Sequence, residues 1–472
     1  MYKLLLKLII FTYVIFNDSL MNLKQLMKKI FLLPLFIFSA FSNLSAQEII
    51  DLNEAVNIAI KNNTNVSNLE KNLEIQKLST KTSKGNLYPS LSMTAGWSRN
   101  NTYSDGTVSF QNGVPIIIPE QDTWINNFGL GLNSNVTLFN GFSNLKQIDL
   151  AEENEVSAII SLDKQKYDIV YNISTVYFDV LKKEKIVVAN EENLNDSKAQ
   201  LDRVNEYMNV GKRTLADVYR QDVQVAQNEL VVERSKNELK KSKVDLLLAM
   251  NTDMNREYSV SDNNIQTNLS ETELKVILDR NSNSEVLLNK ALSNRYDYKA
   301  SQQNIKISQV QYNIDKKNLY FPTITGFANY NLNASNIGDI LGSRAFNFGL
   351  SLNYPIFQGF KLDNKAQASE ISIKQNQDDI RQLEQQIRGE IKKSYIDLET
   401  QYKQIEILNR NIRSAEQDKI LSDENYRVGL GTLLDAQTAA TKLNALKIDL
   451  INAYYDFLLT ERRIKYYVGD LK

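Results

Sequence analysis

The chain has 472 residues, 24% of them charged at a formal net charge of -1, and it contains no Cys and no His. Thiol and imidazole chemistry, disulfides, His-based triads and zinc sites of the usual ligand set are thereby excluded, and the balanced charge gives no electrostatic case for a nucleic-acid partner. Only 17 Gly and 6 Pro punctuate the chain, too few for several compact domains, so something long and regular is expected.

The first 46 residues read as an N-terminal extension plus a signal peptide. Lys24, Lys28 and Lys29 precede an apolar run from Ile30 to Phe41, and Leu44-Ser45-Ala46 supplies the small residues of a cleavage site. Met21 opens a complete signal and is the expected start, with cleavage after Ala46. The apolar run is about a dozen residues, short of the roughly 20 that a spanning helix needs. No Cys follows it, so the mature chain has no lipoprotein anchor.

The mature chain says nearly everything twice. A first repeat over 47–250 is expected to hold helices over about 51–87, 142–209 and 214–249 and strands over about 88–101 and 124–140. A polar linker follows over 251–285. A second repeat over 286–472 holds helices over about 286–318, 361–427 and 432–467 and strands over about 321–333 and 345–358. At an offset of 218, Leu138-Phe139-Asn140-Gly141-Phe142 recurs as Ile356-Phe357-Gln358-Gly359-Phe360, Tyr177 and Asp179 as Tyr395 and Asp397, and Val210-Gly211, Thr214-Leu215 and Asp217 as Val428-Gly429, Thr432-Leu433 and Asp435.

Four segments alternate at the strand period. Leu91, Met93, Ala95 and Trp97 alternate with Ser92, Thr94 and Gly96. Phe128, Leu130, Leu132, Val136 and Leu138 alternate with Asn, Gly and Thr. The second copy repeats both patterns through Ile324, Ala328, Tyr330 and Leu332 and then Phe346, Phe348, Leu350, Leu352 and Ile356; Phe327 is the one misfit, on the polar side. A soluble sandwich would carry Lys, Glu and Asp on its polar face, whereas Asn, Ser, Thr and Gly over about ten residues is the pattern of a membrane-barrel strand, apolar to lipid and polar to a water-filled lumen. Tyr88, Trp97, Trp124, Phe139, Phe321, Tyr330, Phe346 and Phe357 suit interfacial girdles. A lipid-exposed sheet must close on itself, and four strands cannot close a lumen, so an obligate oligomer sharing one barrel of about 8 or 12 strands is expected. Residues 102–122 and 334–344 read as turn-rich loops facing outward.

From Phe142 to Val210 there is neither Gly nor Pro, and Ile173, Val180, Val187, Leu194, Leu201 and Met208 return every seven residues. Ile391, Leu398, Ile405 and Ile412 do the same in the second copy, break at Lys419 and resume at Tyr426. Such repeats predict left-handed coiled coils, each helix roughly 100 Å long. Gly211 and Gly429 to Gly431 stop them, and Thr214 and Thr432 stand where caps of the returning helices belong. A soluble periplasmic coiled-coil adaptor or spacer would explain the helices alone; the four lumen-type strands argue against it. An enzyme is the weakest reading, since no clustered acid–base pair, nucleophile, cofactor motif or metal set is present.

With the export signal, the duplication, Tyr354-Pro355-Ile356-Phe357-Gln358-Gly359-Phe360 and Val428-Gly429-Leu430-Gly431-Thr432, the chain resembles the TolC family of outer-membrane efflux channels over about 51–470. The resemblance implies a mixed, mainly α fold: a homotrimer with a shared twelve-stranded barrel in outer-membrane lipid and a twelve-helix periplasmic tunnel. It implies a passive exit duct for tripartite efflux or type I secretion, energised through a periplasmic adaptor by an inner-membrane pump of RND or ABC type. By the same resemblance Tyr426 and Asp217 match members of a gate network and Asp435 the first of two ring aspartates, while Gly431, Thr438 and Ala216 depart from the family's Arg, Asp and Thr. Lys212, Arg213 and Arg427 are the candidates to supply the missing cation. As first-turn acids at helix N-termini, Asp217 and Asp435 also have an ordinary structural reading. Val210, Gly211, Val428, Gly429, Leu430, Gly431 and Thr432 are the candidate adaptor-docking tips, for which simply turning the chain is the competing role.

Overall fold

The computed structural model describes residues 48–261 and 269–471. The expected signal segment 1–46 lies outside the described residues, as does part of the 251–285 linker. In chain order the elements are β1 (Glu48–Ile50), α1 (Leu52–Asn62), α2 (Thr64–Gly85), β2 (Ser90–Ser104), β3 (Thr107–Gln111), β4 (Val114–Ile118), β5 (Gln121–Phe139), α3 (Ser143–Asn209) and α4 (Leu215–Ala249). They continue with β6 (Tyr258–Val260), α5 (Glu271–Arg280), α6 (Ser284–Asn294), α7 (Tyr296–Tyr320), β7 (Thr323–Ala334), β8 (Arg344–Asn353), α8 (Lys361–Val428) and α9 (Leu433–Val468). The chain is mainly helical, with one long antiparallel sheet in the order β2-β5-β7-β8.

In that sheet the alternation becomes two unlike faces. Trp97 stacks on Phe128, with ring centroids 6.4 Å apart, and Met93 pairs with Leu132, which pairs with Tyr330, which pairs with Phe346. The opposite face carries the row Ser92, Asn133, Asn329, Asn347. No charged residue stands anywhere on that face, from Ser90 to Ser104 in β2 through Asn353 in β8. Phe327, the misfit, lies over Gly349, where an added Cβ would meet the ring at 3.0 Å. A glycine in a strand interior costs stability, and here the aromatic ring covers the space it leaves. Both β2 and β8 are edges of the sheet.

α3 and α8 have 67 and 68 residues, about 100 Å each at 1.5 Å per residue. α4 and α9, of 35 and 36 residues, return along their lower halves, and α2 and α7 pack on the halves nearer the sheet. The mid-height core is apolar: Ile173, Tyr177, Phe178, Val180 and Leu181 with Leu246 and Tyr455 on one side, Ile387, Ile391, Leu398 and Ile405 with Phe457 and Ile464 on the other. The buried Tyr177 hydroxyl lies 2.8 Å from the carbonyl oxygens of both Ile50 and Ser261, tying the parallel β1–β6 pair to α3.

Several expectations need correction. The helix over 51–87 is two helices, because the Asn63 side chain accepts from Val66 N–H and caps a new start. The helix over 286–318 is broken at Arg295, whose buried guanidinium binds Asp297 and Glu390 at 2.6 and 2.8 Å and the Tyr467 carbonyl oxygen at 3.3 Å, so the break clamps the end of α9. The linker holds β6 and α5. The loop over 102–122 is largely strand: β2 and β5 extend into it, and β3 and β4 form a hairpin closed by Asn112-Gly113, both at positive φ. In lower α3 the buried sevenfold line is Asn190, Ser197 and Val204, while Leu194, Leu201 and Met208 are only half-buried. A long helix with more than one neighbour carries more than one stripe. Among the described residues no helix is long and apolar enough to cross a membrane.

Candidate functional site

The two helical hairpins meet at their tips, the end of the molecule opposite the sheet. Each tip is built by the same local chemistry. Gly211 and Gly429 take the left-handed conformation (φ 74° and 88°) that ends α3 and α8, and glycine reaches it without a Cβ penalty. Thr214 and Thr432 then cap α4 and α9. Asp217 and Asp435 complete reciprocal capping boxes, each carboxylate accepting from the cap hydroxyl at 3.0 and 2.7 Å and the cap N–H at 3.3 and 3.0 Å. The Thr432 hydrogen bonds hold the Asp435 carboxyl below the usual carboxylate range. Asp217 also faces Arg220 at 3.7 Å. Leu430 and Gly431 donate their N–H groups to the Asn425 carbonyl at 2.8 and 3.0 Å, and a Cβ on Gly431 would crowd Asn425 at 3.1 Å. Val210, Val428, Leu430 and Thr432 are exposed.

Tyr426 is the one gate candidate at the centre of a core. It is 2% exposed and packs with Val204, Leu433 and Ala436, flanked by Tyr207 and Val218, so residues of α3, α4, α8 and α9 converge on it. Arg213, from the first tip, lays its guanidinium over the ring at 4.1 Å and donates to the Tyr426 carbonyl oxygen. Burial pushes the phenol pKa up, Arg213 opposes that, and the Asp217 charge adds to it. Arg213 and Asp217 are therefore both within electrostatic reach of Tyr426, whereas Asp435 stands exposed in its own cap. Of the three candidate cations, Arg427 turns instead to Glu424, its Nε 2.7 Å from the carboxylate, and Lys212 is exposed.

Above this cluster the seam between the hairpins turns polar. Gln221, almost fully buried, donates to the Ser197 carbonyl at 2.9 Å and accepts from Gln437 at 2.9 Å; Asn444 donates to Asn190 at 3.3 Å. Lys419, where the sevenfold repeat breaks, lies 3.4 Å from both Asp196 and Asp423. Sequence reasoning missed this seam. The only signal was the Lys in an apolar position, since no spacing rule pairs Gln221 with Gln437. Among the described residues no group of acidic side chains could hold a metal ion.

The comparisons with known proteins agree with this architecture. The profile of the outer membrane efflux protein family matches residues 55–252 and 287–470, breaking where the polar linker runs. The chain belongs to the outer membrane efflux protein family. It is 22% identical to the outer membrane protein TolC of Salmonella enteritidis over 399 residues, 82% of this chain and 75% of that protein. Its fold resembles the outer membrane protein VceC of Vibrio cholerae at a TM-score of 0.70 and 18% identity, over 89% of this chain and 96% of that one. It also resembles the CmeC outer membrane channel of Campylobacter jejuni at 0.69 and 16%, over 89% and 85%. As a member of this family it is a transport protein of the outer membrane and not an enzyme.

Proposed function

We propose that this outer membrane efflux protein is the passive exit duct of a tripartite efflux or type I secretion system. Three copies share a twelve-stranded barrel, four strands from each, continued by a periplasmic tunnel of helices from two duplicated halves. An inner-membrane pump of RND or ABC type supplies the energy through a periplasmic adaptor. The carrying observation is the sheet: it is open at β2 and β8, bare on an apolar face and free of charge on its polar face. In hydrocarbon the two open edges must find partners, and the β2 edge of another copy fits the β8 edge.

At the far end, Asp435, Asp217 and Tyr426 control the entrance. Three copies of Asp435 around one axis concentrate negative potential and favour cations. The tips at Val210-Gly211 and Val428 to Thr432 receive the adaptor through exposed apolar side chains. Negative-stain electron microscopy of detergent-extracted protein tests the duct: a threefold particle with a short barrel on a tube roughly 100 Å long supports it, and a soluble rod overturns it. Asp435→Asn is expected to weaken block of the channel by multivalent cations in bilayer recordings; unchanged block removes Asp435 from the gate.

A further inference from the structure

The ribbon of β2 and β5 continues past the ends of those strands. Ser104 pairs with Gln121, and after Asp105-Gly106 on one side and Pro119-Glu120 on the other, Thr107 pairs with Ile118. Two residues are skipped on each strand, so the pairing stays in phase and each face of the ribbon is carried across the interruption. By the parity of that pairing, the face that bears Ser92, Thr94, Asn133 and Asn135 in the sheet continues as Val108, Phe110, Pro115 and Ile117 in the hairpin. On the side assigned to the lumen, an uncharged polar wall thus becomes wholly apolar.

That apolar face has no cover in the single chain. Phe110 is 71% and Ile117 77% exposed, and β3 and β4 pack substantially only on each other among the described elements. Residues 106–119 contain no charge at all in a chain that is 24% charged. Lipid is a poor occupant. The lipid side ends at the girdle aromatics Trp97 and Trp124, the latter paired with Asn101 and covered by Arg99. The hairpin starts six residues beyond the Asn101–Trp124 pair, about 15 Å past that girdle for tilted strands.

We propose that the hairpins of the assembled copies pack against one another through Val108, Phe110, Pro115 and Ile117, forming an apolar collar over the outer mouth of the duct. The proposal rests on the trimeric barrel. Twelve strands about 4.8 Å apart and tilted about 40° enclose a radius of about 12–13 Å, and five residues of strand reach about 17 Å, enough to meet at the axis. Mutual burial gives each apolar face the cover it lacks, and a dry constriction of this kind opposes ion flow until the arms part.

The absence of Cys makes the test clean. In full-length Phe110→Cys, extracted from outer membranes and oxidised, up to two of every three chains are expected to run as disulfide-linked dimers, since three thiols form one bond; a short bismaleimide gives the same result where the thiols exceed disulfide reach. Phe110→Asp with Ile117→Asp is expected to raise single-channel conductance while leaving the trimer intact. A Phe110→Cys trimer whose introduced thiols neither pair nor crosslink overturns the collar alone, whether those thiols react freely with a maleimide or are shielded by lipid or another protein. A monomeric particle overturns the trimer reading and the collar with it.

Discussion

The motif that leads out of β5 into α3 and the motif that leads out of β8 into α8 have the same backbone and opposite surroundings. Gly141 and Gly359 sit at φ 65° and 59°, and Phe142 and Phe360 both at 62°. Around Gly141 the chain is full: an added Cβ would meet Phe321 at 2.7 Å, and Phe139 stands edge-on to the Phe321 ring at 6.0 Å. Around Gly359 there is open space, and Phe357 is 72% exposed. Local sequence dictates the turn, and the neighbouring strand decides whether the turn is covered. Phe321-Pro322-Thr323 leads into β7, which lies beside β5. The like tripeptide Tyr88-Pro89-Ser90 leads into β2, which stands at the opposite edge from β8. In the closed barrel, Tyr88 of another copy would stand over Gly359 as Phe321 stands over Gly141.

Breaking the covered junction should have the largest effect. Gly141→Ala is expected to cost about 3–4 kcal/mol, the left-handed strain plus overpacking against Phe321, whereas Gly359→Ala costs the single chain only about 1 kcal/mol. Denaturant unfolding of the two variants as unassembled chains compares them, and equal losses there would abolish the contrast. Tyr88→Ala should leave the single chain's unfolding unchanged while weakening assembly by about 3 kcal/mol per contact, the usual cost of truncating a buried aromatic. The readout is the temperature at which the oligomer band disappears on unheated gels; an unaltered oligomer would deny Tyr88 its seat.

The tips offer the same kind of contrast at smaller scale. Arg213→Ala, which uncovers the buried Tyr426, should destabilise the tip by about 1–2 kcal/mol, but Arg427→Ala, which removes an exposed, solvent-screened partner of Glu424, should have little effect. Hydrogen exchange at Tyr426 to Ala436 separates them. The smallest effect is on pH. The Asp435 carboxyl is held below its ordinary value in the folded chain, so its cap contributes above the unfolded pKa, near 4, and is lost as pH falls through the lower folded value. Exchange at the Asp435 amide, which donates to the Thr432 hydroxyl, should rise only in that acid range; a rise near neutrality would point to another group.

The alternation of apolar residues with Asn, Ser, Thr and Gly made the sheet legible, because a strand's two faces are written in its odd and even positions. The sevenfold runs, though the one in α8 breaks at Lys419, made α3 and α8 legible for the same kind of reason. The helix breaks at Asn63 and Arg295 were harder to see: one is a cap inside a helical pattern, and the other is held by Glu390 and Tyr467, far away in the chain. At the tips, the glycines and the capping threonines follow from local backbone preference. That Arg213, rather than Lys212 or Arg427, reaches Tyr426 does not, since it depends on how two hairpins 213 residues apart are docked.

By itself, then, the amino-acid sequence determined periodicity, caps, turns and the character of each face, all of which act within a few residues along the chain. Only the tertiary structure decided which β strands are edges, which of two like junctions is filled, which sevenfold stripe of α3 is buried low down, and which cation lies on Tyr426. Those outcomes depend on contacts between segments hundreds of residues apart, where packing geometry and not local preference sets the free energy.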